Sequence, residues 1–197
     1  MFAETTSPGA TPGSRTVAPG RHAIAPLPFD PTKLRGLSER LIVSHHDNNY
    51  AGAVKNLNKV EEELERVTRD TPPFLVSGLK ERELTFTNSM ILHEHYFATL
   101  GGDGRATGAA LAGGSGWVIL ELNFHTGTLR SYWSGGHTQA PAFGQPLLVM
   151  DMYEHAYQMD YGAAAAKYID AFFQNIRWEE VSRGYERGRS ALQAIRG

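Results

Sequence analysis

The stretch PLLVMDMYEHAYQMDY, residues 146–161, places an apolar run directly before a group of potential ligands. Its first residues predict a short buried strand, which Asp151, Glu154 and His155 follow at once. Side chains at a strand end project from a rigid element into a crevice, where α/β and α+β proteins commonly place their chemistry. Asp151 and His155 are therefore the first candidates for a ligand pair, although a helix cap and a surface side chain would give the same spacing.

The composition is that of an ordinary globular protein, and it excludes several kinds of metal site and partner. The 197 residues are 41% hydrophobic and 20% charged, which is enough for one substantial core or two small ones. Cysteine is absent, which excludes disulfides, iron–sulfur clusters and thiolate zinc sites. The net charge of -2 argues against nucleic acid as a partner, because such binding depends on a basic face. No apolar run reaches the roughly 20 residues of a membrane helix, so no membrane association is expected.

The first half of the chain predicts a tail and two helices. Residues 1–26 are rich in Ser, Thr, Pro, Gly and Ala, so we expect a flexible N-terminal tail, and without the apolar block of a secretory signal we expect a cytoplasmic location. Apolar residues then recur at spacings near 3.6 over 34–67, with a bend predicted near Gly52, and again over 78–100. Prolines 72 and 73 stop the first helix. Residues 27–102 are thus predicted to form an antiparallel helical hairpin.

The second half, residues 103–197, predicts a small sheet with helices. A glycine-rich stretch marks the boundary. The runs WVILEL (117–122) and TLRSYW (128–133) flank a turn, which indicates a hairpin, and PLLVM adds a third strand. Helical spacing returns after residue 161. The predicted class is α+β, with an N-terminal antiparallel helical hairpin followed by a small three-stranded antiparallel sheet domain with helices.

Histidines on the two predicted helices strengthen the idea of a metal site. A lone histidine on a half-apolar helix face is more often structural than a ligand. His45 and His93, however, occupy the apolar faces of helices predicted to pack together. If Asp151 and His155 approach that seam, the set becomes three neutral imidazoles and one carboxylate, which suits iron or manganese.

Five segments resemble the iron/manganese superoxide dismutase family in order and spacing, over nearly all of residues 27–185. They are LPFDPTKLRGLSERLIVSHHDNNYAGAVKNLN, LHEHYFATLGG, GSGWVIL, PLLVMDMYEHAYQMDY and YIDAFFQNIRWEEV. The Asp-x-Trp/Tyr-Glu-His-Ala-Tyr element is the most specific of these. The resemblance implies one iron or manganese ion per subunit, superoxide as the substrate, and oxygen and hydrogen peroxide as the products.

The resemblance also implies roles for individual residues. It implies metal ligands at His45, His93, Asp151 and His155. It implies a surrounding shell that consists of His137 as the hydrogen-bond donor to the solvent on the ion, Gln139 as the fallback donor, Trp117 and Tyr153. It implies a homodimer or a dimer of dimers, with an interface that contains Glu154, Asn49 and Gln158.

Several positions depart from the family pattern. Ala53 stands where the family commonly has a gateway tyrosine. Ser89 stands where many members have a glutamine that hydrogen-bonds the solvent on the ion, so the sequence does not decide between iron and manganese, although iron is slightly favoured. The link 101–116 is too short for the helical pair that the family normally carries there. One alternative is therefore a non-catalytic metal-binding relative. A non-haem iron oxygenase is a second, but it needs two or three open coordination positions, which four protein ligands do not leave.

Overall fold

The computed structural model describes residues 17–104, 114–139 and 142–197. The helices are α1 (Glu39–Ser44), α2 (Ala51–Glu65), α3 (Pro73–Ala98), α4 (Gln158–Tyr161), α5 (Ala165–Gln174) and α6 (Trp178–Arg196). The strands are β1 (Trp117–Asn123), β2 (Thr128–Ser134) and β3 (Gly144–Asp151). The predicted α+β class is confirmed. Most of the predicted tail and most of the shortened link lie outside the described residues.

The first predicted helix is interrupted, and at a different place from the one expected. It begins at Glu39 rather than at residue 34, because the Ser38 hydroxyl caps it by accepting the N–H of Leu41 at 3.1 Å. A π-helical turn, His45–Tyr50, separates α1 from α2. Such wide turns are rare and occur frequently at functional sites. The irregularity therefore begins at the candidate ligand His45 and not at Gly52.

The second helix begins earlier than predicted. Its first residue is Pro73 rather than Gly78, because a proline at the first helical position needs no N–H partner and has a suitable fixed φ. Helices α2 and α3 pack on each other, with Tyr50 against Glu94 at one end and Val67 near Phe74 at the other, so they run antiparallel. Within the described ranges, none of the helices is both long and apolar enough to span a membrane.

The three strands form one antiparallel sheet in the order β2-β1-β3, which confirms the predicted sheet. Trp117 at the start of β1 lies opposite Ser134 on one side and Asp151 on the other. The hairpin turn closes with the N–H of Gly127 donating to the carbonyl of Asn123 at 2.8 Å. Gly127 has a φ of +72°, a left-handed conformation that glycine adopts at little cost.

Both halves of the chain contribute to the main hydrophobic core. Its fully buried members include Leu41, Tyr96, Phe172 and Ile176, together with Leu122 from the sheet. The division predicted at residue 102 stays a prediction, and the buried cluster crosses it. The sheet is therefore held directly against the helical hairpin, which brings the end of β3 close to His45 and His93.

The described part of the predicted tail lies against the helical hairpin. The N–H of His22 donates to Asn58 Oδ1 at 2.8 Å, and Asn58 Nδ2 donates back to the carbonyl of His22 at 2.9 Å. Further along, the N–H of Ala25 donates to the Tyr50 hydroxyl at 2.9 Å. The packed region thus begins before Leu27, where the sequence predicted it to start.

Candidate metal centre

Four side chains from separate elements meet at one point. His45 begins the π-helical turn, His93 lies in α3, Asp151 ends β3, and His155 lies in the 3-10 turn Glu154–Ala156. One potential ligand atom from each lies within 4.8 Å of the others. The sheet and the two helices thus place side chains that are distant in sequence around one small volume.

The three imidazoles converge on one carboxylate oxygen. Asp151 Oδ2 lies 3.0 Å from His45 Nε2, 3.1 Å from His155 Nε2 and 3.6 Å from His93 Nε2. Asp151 and His45 are fully buried, and His93 is nearly so, whereas 30% of the His155 side chain is exposed. The cluster is thus closed on the side of the core and reaches the surface at His155.

The surrounding contacts fix the orientation of two of these groups. His93 Nδ1 donates to the carbonyl of Ser89 at 2.7 Å, so its proton is on Nδ1 and the Nε2 lone pair faces the cluster. That buried Nε2 has no hydrogen-bond partner among the described residues. Asp151 Oδ1 accepts the N–H of Tyr153 at 2.8 Å, and the Asp151 carbonyl accepts the Tyr168 hydroxyl at 2.7 Å.

Burial and mutual contacts set the charges of the cluster. Burial lowers the pKa of His45, and burial together with the neighbouring His45 lowers the pKa of His93 to about 3. Burial acts to raise the pKa of Asp151, but hydrogen bonds from His155 and His45 outweigh it and hold that pKa below its usual range. Near neutral pH, His45 and His93 are therefore neutral and Asp151 is ionised. The contact of His45 with Asp151 is therefore a hydrogen bond rather than an ion pair, and His93 Nε2 lies near Asp151 without a hydrogen bond to it.

This donor set fits a first-row transition metal ion. Neutral imidazoles and a carboxylate are the ligands that iron and manganese accept, and a buried nitrogen lone pair without a partner is what an ion would satisfy. Two atoms that each lie about 2.1 Å from one ion are at most about 4.2 Å apart, so the four ligand atoms need only a small inward movement. The site can hold one ion.

Aromatic rings pack beside the cluster on the side that faces the sheet. The indole N–H of the buried Trp117 donates to His137 Nδ1 at 3.0 Å, and Asn88 Nδ2 donates to the His137 carbonyl at 2.7 Å. The His137 ring stacks on Tyr153, with centroids 5.3 Å apart and planes at 24°. Tyr153 in turn stacks on His155 at 5.6 Å and 5°. Burial lowers the pKa of His137.

The other predicted residues lie outside this arrangement. Gln139 is exposed, and its Oε1 accepts the N–H of Gly135 at 3.0 Å, so its amide is engaged in its own loop. Glu154 and Gln158 are exposed and Asn49 is half-buried. The side chains of these three have no hydrogen-bond partner in the described part of the chain.

Sequence reasoning missed two contributors to the centre. Tyr168 on α5 is fully buried and supports Asp151 through the carbonyl of that residue. Asn88 on α3 holds the loop that carries His137. Neither contact has a signal in the linear sequence, because both depend on how α3 and α5 pack against the sheet.

Comparison with known proteins gives consistent matches. Residues 102–184 match the family model for the C-terminal domain of iron/manganese superoxide dismutases. An iron superoxide dismutase of Cupriavidus metallidurans is 45% identical over 186 positions, which cover 82% of this chain and 94% of the relative. An iron superoxide dismutase of Aquifex aeolicus is 31% identical over 90% of this chain and 98% of its own length. A manganese superoxide dismutase of Halobacterium salinarum is 28% identical, over 84% of this chain and 95% of the relative.

Proposed function

This chain belongs to the iron/manganese superoxide dismutase family, and we propose that the buried cluster is the centre at which it works. It is a superoxide dismutase, which converts two superoxide anions and two protons into one oxygen molecule and one hydrogen peroxide molecule. The observation that carries this assignment is the convergence of three imidazole nitrogens on one buried carboxylate oxygen.

His45, His93, Asp151 and His155 hold one iron or manganese ion in this proposal. When bound, the ion supplies one-electron exchange with superoxide in both directions, by alternating between its trivalent and divalent states. Iron is the proposed metal, because the relative at 45% identity is named an iron superoxide dismutase, whereas the manganese superoxide dismutase reported above is only 28% identical. Two neutral imidazoles and an ionised carboxylate require little loss of protons before an ion binds.

The protein's own groups control water and protons at the site. Burial of His45, His93 and Asp151 excludes bulk water from the side of the core. His137 is proposed to donate a hydrogen bond to an oxygen atom beside the ion, since Gln139 is engaged elsewhere. Ala53 has no hydroxyl, so it takes no part in proton delivery, and the ring of the partly exposed Tyr153 stacks on the ligand His155.

A homodimer is proposed as the working form, with a dimer of dimers as the larger alternative. The exposed carboxylate of Glu154 is proposed to hydrogen-bond the equivalent of His155 in the partner subunit, where this imidazole reaches the surface. Asn49 and Gln158 have amide groups free of described partners, and they are proposed to pair across the same interface. A cytoplasmic location stays a prediction.

Separate reconstitution with iron and with manganese tests the assignment. The expected result is one ion per chain and rapid superoxide consumption with iron, both of which are lost in His155→Ala. His125→Ala is the matched control, because His125 is exposed in the hairpin turn and is not one of the four proposed ligands. Bound metal without superoxide consumption would support the non-catalytic alternative. Metal retained by His155→Ala would contradict the ligand set.

A further inference from the structure

Met159 on α4 has a thioether that solvent can reach. Met159 is 43% exposed, whereas the other methionines of the described residues are at most 8% exposed and belong to the hydrophobic core: Met90, Met150 and Met152. Hydrogen peroxide converts a thioether into a sulfoxide, and the oxidant must reach the sulfur to do so. Accessibility therefore selects Met159 for this reaction.

The segment that carries Met159 is close in sequence to the metal centre and is held in place. Met159 follows the ligand His155 by four residues, and 30% of the His155 side chain is exposed. The neighbouring Asp160 accepts both the N–H and the hydroxyl of Ser38 at 2.6 Å, which ties α4 to the start of α1. Hydrogen peroxide is a product of the proposed function, which therefore supplies the oxidant for this segment.

Arg40 on α1 covers one side of the Met159 sulfur. Its Nε donates a hydrogen bond to Met159 Sδ at 3.1 Å. A thioether sulfur has two lone pairs, and oxygen transfer to one or to the other gives the two epimers of the sulfoxide. Because the N–H of Arg40 occupies one lone pair, the other is open to peroxide. The contact therefore distinguishes the two faces of the sulfur.

We propose that Met159 is a site of oxidative modification, at which Arg40 directs hydrogen peroxide to one face of the sulfur so that one sulfoxide epimer forms in excess. The sulfur binds one peroxide oxygen as the O–O bond breaks, and the proton of that oxygen passes to the other oxygen, which leaves as water. The thioether loses two electrons, and the peroxide gains them. Each epimer has its own reductase, so one class of methionine sulfoxide reductase restores this site. The inference rests on the proposed function only for the source of the peroxide.

Peptide mass spectrometry after treatment of the whole, metal-free chain with hydrogen peroxide tests the site. We expect the sulfoxide to form at Met159 before it is detectable at Met90, Met150 or Met152. Equal rates at the four methionines would overturn the inference. Protection of Met159, as a partner subunit seated over the neighbouring Gln158 would produce, would overturn it too. The oxidant is added, so the measurement needs neither bound metal nor catalysis.

Treatment of the oxidised, digested protein with each class of sulfoxide reductase tests the role of Arg40. Digestion gives both reductases equal access to the peptide that contains Met159. We expect one class to reduce most of its sulfoxide and the other to leave it, whereas Arg40→Leu should give similar amounts of both epimers. Arg69→Leu is the matched control, because Arg69 is exposed in the connection between α2 and α3, and it should keep the excess.

Equal amounts of the two epimers in the unmodified protein would overturn the inference. An undiminished excess of one epimer in Arg40→Leu would overturn the role of Arg40. A single epimer at Met159 in a chain that, loaded with iron, consumes no superoxide would support the inference and count against the proposed function alone.

Discussion

At the residue scale, the site divides into positions that the sequence could identify and positions that it could not. His45, His93, Asp151 and His155 could be predicted as ligands because the resemblance fixes their positions in three separate segments. The role of the Ser89 carbonyl follows from helix geometry, since the residue four positions before His93 lies on the same face. The preference for His137 over Gln139 came from the resemblance and stays a prediction, and the structure adds that Gln139 Oε1 accepts the N–H of Gly135.

Asp151→Asn tests the electrostatic part of the ligand set. The amide keeps the shape of the carboxylate but removes its charge, so we expect affinity for iron to fall by more than about a hundredfold. Metal content after dialysis and a competition titration with a chelator measure the change. Asp170→Asn is the control, since Asp170 is exposed on α5. Equal affinities in the two variants would contradict the role of Asp151 as a ligand.

At the scale of elements, the sequence predicted which segments are helices and strands but not where each one ends. Periodicity identified α3, yet its start depended on Pro73, which can both stop one helix and begin the next. The helical pattern after residue 161 divides into α5 and α6 because the residues between them pair with the end of α3. There the N–H of Arg177 donates to the carbonyl of Thr99 at 2.7 Å, and the N–H of Gly102 donates to that of Asn175 at 2.9 Å.

Gly102→Ala tests this junction between helices. A Cβ at position 102 would overlap backbone atoms of Ile176 and Arg177, which cannot move as a side chain could. We expect the free energy of unfolding to fall by about 1–3 kcal/mol. Gly52→Ala is the matched substitution, because nothing lies within 4 Å of the added methyl group and alanine favours the helix by up to about 1 kcal/mol. Urea denaturation of both variants should give changes of opposite sign.

At the scale of the whole molecule, one buried side-chain amide links two segments that lie far apart in the chain. Asn175 Oδ1 accepts the N–H of Arg35 at 2.8 Å, and its Nδ2 donates to the carbonyls of Arg35 and Ala171, each at 2.7 Å. The amide thus replaces a backbone pairing between segments 140 residues apart. Sequence patterns do not reveal such a contact, because each of its ends is an ordinary polar residue in a loop.

Asn175→Ala tests this link. Removing the amide breaks the two partly buried hydrogen bonds to the backbone of Arg35 and the buried one to Ala171, so we expect a loss of about 1–3 kcal/mol in the free energy of unfolding. Gln174→Ala is the control, because only the backbone carbonyl of the exposed Gln174 takes part in a described contact. Chemical denaturation followed by tryptophan fluorescence measures both variants. A similar, small change in the two would contradict the assigned role of Asn175.

Acidification of the metal-free protein provides a further test at this scale. In the folded protein, burial lowers the pKa of His45 below 6.5 and lowers that of His93 to about 3. Below pH 6.5 the unfolded chain therefore binds protons that the folded chain does not. The resulting stability is fully present above pH 6.5 and is lost as the pH falls. We expect a slope of about 1.4 kcal/mol per pH unit for each histidine. Denaturation curves should show a smaller slope in His93→Gln and an unchanged one in His125→Gln.

The rate of superoxide decay during a titration of the metal-free protein with iron is the most direct test of the central claim. If His45, His93, Asp151 and His155 form the catalytic centre, the rate constant rises linearly to one equivalent of iron per chain and then stays constant. The same titration of His155→Ala gives no rise above the rate of free iron. A rate that stays at that background at one bound equivalent in the unmodified protein would contradict the claim that this chain is a superoxide dismutase.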